Sequence, residues 1–373
     1  MMENQETQYQ LFVGVDVAAT TMTVTWQTAN QPVPAPRTFT QTPDGIATLI
    51  DHLQGTGVEP AHTLIVMEAT GSYWITLATT LHHAGYVISV VNAAHAHHFA
   101  KSHGQRAKTD AVDARMLVRL AQERRPPPWT PPPAVYHELR QRLVARDSLI
   151  AMRTQARNQR HALQQWPVVI ESVMAQLDTV IATVTAQINQ LEQEIAEVLV
   201  DGTWARSACL LQSIPGVGVL TAAWLLVTTL NFTVSSTPTG LAAYAGLAPM
   251  PRESGTSIRG QPRIGHSGNA RLRHAVYMAT LSASRHNPMI RAFYQRLRDG
   301  GKPIKVARCA AARKLLHLAW AVVTKEQDFN PAHQSWMKPT GCRVLGRWPS
   351  GGTGGLGGRC VAEDQGAGGA VNG

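Results

Sequence analysis

Residues 11–17 read LFVGVDV, an apolar and β-branched run that carries one acid, Asp16, near its end. Such runs form buried strands, and the similar run MTVTW at residues 22–26 completes an opening hairpin. A charged residue inside a buried strand must be paired, hydrated or metal-bound to be tolerated. The stretch therefore predicts a β-sheet core with a polar site at Asp16.

The same alternation of elements continues through the first third of the chain. Residues 63–67, TLIVM, predict a strand that leads into Glu68. Residues 73–84 predict a helix, and residues 86–91, YVISVV, predict a further strand. Mixed strands and helices of this kind indicate a three-layer α/β domain, placed at residues 9–125.

A proline-rich stretch, RPPPWTPPPA at residues 125–134, marks the end of that domain, so residues 126–135 are predicted to be a semi-rigid linker. Residues 136–200 are predicted to form coiled-coil helices. Their second half carries apolar residues at alternating steps of four and three, Leu177, Ile181, Val184, Ile188, Leu191, Ile195 and Val198. Their first half carries arginines between residues 140 and 160, which suit either phosphates or a solvated face.

The remainder divides into a predicted mostly helical domain at residues 205–330 and a glycine-rich tail at residues 338–373, which we expect to be disordered. Residues 302–325 form a basic amphipathic helix there, for which packing is the safer interpretation.

Charge and composition favour a polyanionic partner. The 373 residues include 34 Lys and Arg against 24 Asp and Glu, a formal charge of +10. The four cysteines form no C-x-x-C pair, which argues against a zinc knuckle. A polar start and short apolar runs predict no secretory signal and no membrane span. We expect a cytoplasmic, nucleoid-associated protein.

Four acids stand out. In KTDAVDAR, Asp110 and Asp113 are three residues apart at the start of a predicted helix, so both project from one face. With Asp16 and Glu68 they could converge on one cleft and hold paired Mg²⁺ ions about 4 Å apart for phosphodiester chemistry. Each acid alone also has an ordinary explanation, as a turn ligand, a helix cap or an acidic first turn.

The order strand-Asp, strand-Glu, helix-Asp-x-x-Asp resembles the ribonuclease-H-like domain of RuvC-type nucleases. More specifically, GVDVA, MEATGSYW and VVNAAHAHHFAKSHGQRAKTDAVDAR resemble the DEDD transposases of insertion-sequence family 110. The resemblance extends from about residue 11 to residue 325.

This resemblance implies a RuvC-like domain, a coiled-coil insertion that joins protomers and a helical transposase domain. It implies that Asp16, Glu68, Asp110 and Asp113 hold Mg²⁺, and that Ser254 attacks the scissile phosphate to give a phosphoserine intermediate. The expected partners are double-stranded DNA of element ends and target, a structured noncoding guide RNA, and further copies of the chain as a dimer or tetramer.

The second half contains LLQSIPGVGVLTAAWLL at residues 210–226, the pattern of a helix-hairpin-helix. Gly216 and Gly218 would allow a turn whose amides hold a phosphate, although a plain helix-helix turn has the same pattern. Further nucleic-acid contacts are predicted at Lys108, Arg259, Arg263, Asn269, Arg271 and Arg273.

Without the resemblance, Ser257 and Ser267 are equal candidates to Ser254. Ser267 precedes a predicted helix, where a cap or a phosphate clamp is the ordinary role. His266 is a departure, because the family more often has lysine there.

Three rival functions remain open. A RuvC-like junction endonuclease would use water as its nucleophile. A kinase of the sugar-kinase fold shares an early strand aspartate but requires glycine-rich phosphate loops in the first half. A non-catalytic structural DNA-binding protein would use the acids only to stabilise its fold.

Overall fold

The computed structural model describes residues 9–28, 33–69, 71–105, 109–254, 258–265 and 267–332. Several predictions lie outside the described residues: those for Lys108, Ser257, His266 and the tail at 338–373, and those for the side chains of Ser254 and Arg259.

The N-terminal part is a mixed five-stranded sheet. Its strands are β1 (Leu11–Val17), β2 (Thr21–Thr28), β3 (Arg37–Thr40), β4 (Thr63–Glu68) and β5 (Val87–Val91), in the order β3-β2-β1-β4-β5. Strands β1, β2 and β3 pair antiparallel, whereas β4 lies parallel to both β1 and β5. The four predicted strands are confirmed, and β3 is an addition.

Helices cover both faces of this sheet, which confirms the predicted layers. Helices α1 (Pro43–Gln54) and α2 (Trp74–His83) bury Leu49 and Leu77 against one face. Helices α3 (Ala93–Ser102) and α4 (Asp110–Arg124) bury Phe99 and Leu117 against the other. Sequence analysis predicted α2 and the start of α4 but not α1 or α3.

Helices α5 (Ala134–Leu163) and α6 (Glu171–Asp201) form a long antiparallel hairpin. The apolar seam of α6 packs along α5 of the same chain. Arginines of α5 face acids of α6, with Arg142–Glu194 at 3.0 Å, Arg146–Glu192 at 2.5 Å and Arg160–Asp178 at 2.5 Å. These three arginines therefore belong to the hairpin contact rather than to a surface reserved for phosphates.

The C-terminal part is mostly helical: α7 (Ala205–Gln212), α8 (Val219–Thr229), α9 (Pro238–Tyr244), α10 (Ala270–His286), α11 (Pro288–Asp299) and α12 (Ile304–Thr324). A two-stranded sheet, β6 (Met250–Ser254) and β7 (Ile258–Arg263), interrupts them. The base of the α5–α6 hairpin shares their apolar core through Leu139, Leu143, Ile195 and Leu199. Within the described ranges, no helix combines the length and apolarity that crossing a membrane requires.

Candidate active site and nucleic-acid surface

Asp16 and Glu68 lie side by side at one end of the N-terminal sheet. The parallel strands β1 and β4 pair through Val15 and Met67, and the two acids are the next residues on their strands. The sequence separates these acids by more than fifty positions, and only the register of β1 on β4 makes them neighbours.

Both acids project toward the face that α4 covers. Side chains alternate between the two faces of a strand. Val15 and Met67 are buried in the core on the α1–α2 side, whereas Phe12 and Val66 are buried with α4 residues on the opposite side. Asp16 shares the parity of Phe12, and Glu68 that of Val66, so both carboxylates lie on the α4 side.

The first turn of α4 brings the other two acids to the same face. Thr109 begins the helix, and its side-chain oxygen accepts a hydrogen bond from the Val112 amide at 3.3 Å. Asp110 and Asp113 occupy that turn, where the helix dipole favours negative charge. Asp110 is exposed, and Asp113, like Asp16 and Glu68, is half-buried.

Gly14 allows α4 to lie this close to β1. A Cβ at Gly14 would stand 2.2 Å from the carbonyl oxygen of Ala114 and 2.6 Å from the amide nitrogen of Val118. Gly14 is two residues from Asp16, and Ala114 follows Asp113 directly. A glycine inside a strand pattern often marks such a backbone approach, so this feature was visible in the sequence although we did not predict it.

The donor set suits a hard divalent cation, since it consists of carboxylate oxygens. In the part of the chain that the structure describes, however, no group of three or more His, Cys, Asp or Glu side chains is arranged to hold a metal ion. The four acids thus lie on elements that pack against one another, but they do not form a metal-binding cluster in this structure.

Ser254 lies elsewhere, at the last position of β6, where its backbone pairs with that of Ile258. Among the described residues, the principal partner of β6 is β7. Arg263, which pairs with Met250, is exposed. The structure therefore places Asp16 and Glu68 on adjacent strands and Asp110 and Asp113 on the helix that packs against them, whereas the predicted serine lies on a separate hairpin.

The two glycines of the predicted helix-hairpin-helix differ in their surroundings. Gly216 has φ +101°, and a Cβ there would lie 2.6 Å from the Cα of Ala283, so this glycine packs the turn against α10. Gly218 begins α8 with no side-chain cap and with no atom within 4 Å of a Cβ position. Of the two, Gly218 is the one at which a side chain would meet open space.

Asn269 and Arg273 hold the segment before α10 in place. The Asn269 side-chain oxygen accepts from the Leu272 amide at 3.0 Å, and its amide group donates to the Tyr244 hydroxyl at 3.1 Å. Arg273 donates to the carbonyl oxygens of Ala245 and Ser267 at 3.0 and 3.2 Å. Both side chains thus make internal contacts that sequence reasoning did not foresee.

Arg271 connects α10 to two other helices. Its guanidinium donates to Asp147 on α5 at 2.5 Å and stacks over the ring of Trp224 on α8 at 4.8 Å. These contacts come from residues distant in sequence, which is why a basic residue at a helix start gave no indication of them.

Comparison with known proteins identifies the family. A transposase family model of the DEDD type matches residues 13–166, and the model described as transposase IS116/IS110/IS902 family matches residues 208–295. The pilin gene-inverting protein of Moraxella bovis is 31% identical over 329 residues, which is 86% of this chain and 97% of the relative.

Two further relatives agree. The pilin gene-inverting protein of Moraxella lacunata is 32% identical over 330 residues, again 86% of this chain and 97% of the relative. The insertion element IS110 uncharacterized 43.6 kDa protein of Streptomyces coelicolor is 41% identical over 115 residues, 30% of this chain and 28% of that protein. The chain belongs to the IS110 family of DEDD transposases and is an enzyme that acts on DNA.

Proposed function

We propose that this transposase recombines DNA through a metal-dependent site on a ribonuclease-H-like domain and a serine nucleophile on β6. The observation that supports the proposal is that Asp16 and Glu68 follow paired residues of β1 and β4, and that α4, whose first turn carries Asp110 and Asp113, packs against β1. The strand order, with β2 and β3 antiparallel on one side of β1 and β4 and β5 parallel on the other, supports the ribonuclease-H-like assignment.

The family implies a divalent metal, and the four acids are the residues that would hold it, as two Mg²⁺ ions. When bound, such ions stabilise the charge that develops on the attacking and leaving oxygens. The chain's own contribution is to fix two carboxylates on adjacent strands and two on a helix turn braced against Gly14.

Ser254 is the proposed nucleophile. Its hydroxyl oxygen forms a bond to the scissile phosphorus as the bond to the leaving deoxyribose oxygen breaks, and its proton passes to water. The leaving oxygen takes up a proton, and attack by a hydroxyl of the exchanged strand reverses the step. The hairpin and the acidic face must meet on DNA for this chemistry, since a serine hydroxyl needs activation.

The relatives favour recombination over simple hydrolysis. Two proteins that this chain covers almost completely are named as gene-inverting, and inversion requires that cut strands be rejoined. A junction endonuclease that uses water would leave the ends unjoined, so it is the weaker candidate.

The partners that we propose are double-stranded DNA, a structured noncoding guide RNA and further copies of the chain. The case for the RNA is the family resemblance and the net charge of +10. The case for self-association is the tip of the α5–α6 hairpin, where Trp166, Val168 and Ile170 are exposed. Lys108, Gly218, Arg259 and Arg263 are proposed contacts to nucleic-acid backbone.

The deciding experiment is a denaturing-gel assay for covalent protein–DNA adducts, with element-end DNA, Mg²⁺ and the transcribed flanking RNA. We expect an adduct with the wild type and with Ser267→Ala, and none with Ser254→Ala. Cutting without an adduct, equally strong in Ser254→Ala, would replace the serine mechanism with hydrolysis by water.

The acids are tested by Asp16→Asn and Glu68→Gln, with Glu59→Gln as the matched control because Glu59 is an exposed carboxylate away from this face. We expect Mg²⁺ to raise the melting temperature of the wild type and of the control but not of the two site variants. Adduct formation should fall at least about 100-fold in the site variants. An unchanged Mg²⁺ response in Asp16→Asn would contradict the metal assignment.

A further inference from the structure

A cleft of about 430 Å³ opens between α10, α11 and α12. Ser284 and Arg285 of α10, Arg291 and Tyr294 of α11 and Arg308 of α12 line it, so each of the three helices supplies one guanidinium. None of these side chains takes part in the acidic face, the β6–β7 hairpin or the turn before α8.

The three guanidinium charges are not compensated by protein. Across the described ranges, no carboxylate lies within ion-pair distance of Arg285, Arg291 or Arg308, whereas three arginines of α5 pair with acids of α6. The sequence explains this, because Asp299 is the only acid between Ala270 and Lys325. Asp299 accepts a hydrogen bond from Gln295 at 2.8 Å and pairs with none of the three.

Arg308 is already desolvated on its inner side. Its Nε atom is buried, and it has no hydrogen-bond partner among the described residues. A buried N–H of a charged group without a partner is destabilising, because it has lost its hydration without gaining a hydrogen bond. Because that cost is met in the free protein, an anion that binds the rest of the guanidinium has less desolvation to overcome.

We propose that this cleft is a binding site for backbone phosphate of duplex DNA. Planar guanidinium groups match phosphate oxygens in pairs, and the hydroxyl groups of Tyr294 and Ser284 add neutral donors at the same cleft. Contacts of this kind position a duplex without reading its sequence. The inference rests on membership of a DNA-recombining family, and it is independent of Ser254 and of the metal.

The test measures binding without catalysis. Fluorescence anisotropy with a labelled duplex of about 30 base pairs, in EDTA and over a series of KCl concentrations, compares Arg291→Gln and Arg285→Gln with Arg296→Gln. Arg296 is the matched control, since it lies on α11, is exposed and stacks on Phe293 outside the cleft. Each cleft variant should weaken binding about five- to tenfold and lower the salt slope by about one, whereas the control should change affinity less than about twofold. Equal effects in all three variants would show that only the overall positive charge of the protein matters, which would overturn the proposal.

Arg308→Met separates binding from folding. If Arg308 binds a DNA phosphate, this variant should bind the duplex about tenfold more weakly. Its melting temperature should be no lower than that of the wild type, because a buried unpaired N–H is removed. If Arg308→Met instead lowers the melting temperature, and the loss of DNA binding matches the loss of folded protein, Arg308 has only a structural role. The same titrations with an RNA hairpin give the second arm, and variants that weaken RNA binding while duplex DNA binding is unchanged would overturn the DNA assignment. Because EDTA abolishes metal-dependent cleavage, this assay measures binding alone. A negative result here would not contradict the proposed cleavage mechanism, and a negative adduct assay would not contradict the phosphate-binding cleft.

Discussion

The backbone of Ala114 on α4 passes so close to Gly14 on β1 that a methyl group at Gly14 would stand 2.2 Å from the Ala114 carbonyl oxygen. The contact sets the height of the α4 first turn above the sheet. It therefore fixes how far Asp110 and Asp113 lie from Asp16 and Glu68.

Gly14→Ala should disrupt this arrangement. The new Cβ meets backbone on α4, which can yield only if the whole helix moves, so we expect a loss of about 3 kcal/mol or more in unfolding free energy. Urea unfolding measures it. Gly55→Ala is the control, because Gly55 has φ −61° and its nearest Cβ contacts are at 3.4 Å. A Gly14→Ala protein as stable as that control would show that α4 is not braced on Gly14.

Asn269→Ala should loosen the start of α10. The variant loses the cap to the Leu272 amide and the donor to Tyr244, and helix caps are worth about 1 kcal/mol. Tyr244→Phe removes only the second contact and should cost less. Thermal melting of both variants checks the order, and a larger loss in Tyr244→Phe would contradict the assigned role of the cap.

His317 should make stability depend on pH. Burial, and then the charges of Arg313 and Lys314, lower the pKa of His317 to about 4 from its ordinary 6.5. Between these two pH values, His317 binds a proton in the unfolded chain but not in the folded one. The free energy of unfolding therefore falls as the pH drops from about 6.5 to about 4, and it levels off below that.

His317→Leu removes this contribution. Relative to the wild type, the variant should gain stability across that window by about 1 kcal/mol, less than the full linkage value because the ring is partly accessible to solvent. Urea unfolding at pH 7.5, 5.5 and 4 tests it. Parallel pH profiles for the two proteins would refute the lowered pKa.

Local pattern was enough to predict the strands around Asp16 and Glu68 and the helix that begins at Asp110. Local pattern did not predict β3, because only Phe39 of its four residues is buried and no alternation of apolar and polar residues is apparent. It also missed α1, although Thr42-Pro43 is a readable cap followed by proline. A short edge strand such as β3 forms because another strand pairs with it, and its own few residues do not reveal that pairing.

The candidate site, like the fold, could be predicted from the sequence only in part. The identity of the four acids followed from motif order, but their common face depends on the register of β1 on β4 and on Gly14. The internal contacts of Arg271 and Arg273 depend on Asp147, Trp224 and Ala245, none of which is near in sequence. Residue type and local charge could not distinguish such side chains from ligands of nucleic acid.

The α5–α6 hairpin is rooted in the same core as the C-terminal helices, through Leu139, Leu143, Ile195 and Leu199. A helix of 30 residues is about 45 Å long, so most of the hairpin extends beyond that shared core. The base of the hairpin also contacts α8 and, through Asp147 and Arg271, α10. We therefore expect a change in the length of the hairpin beyond Asp147 to alter how far its tip reaches while leaving these contacts at its base intact.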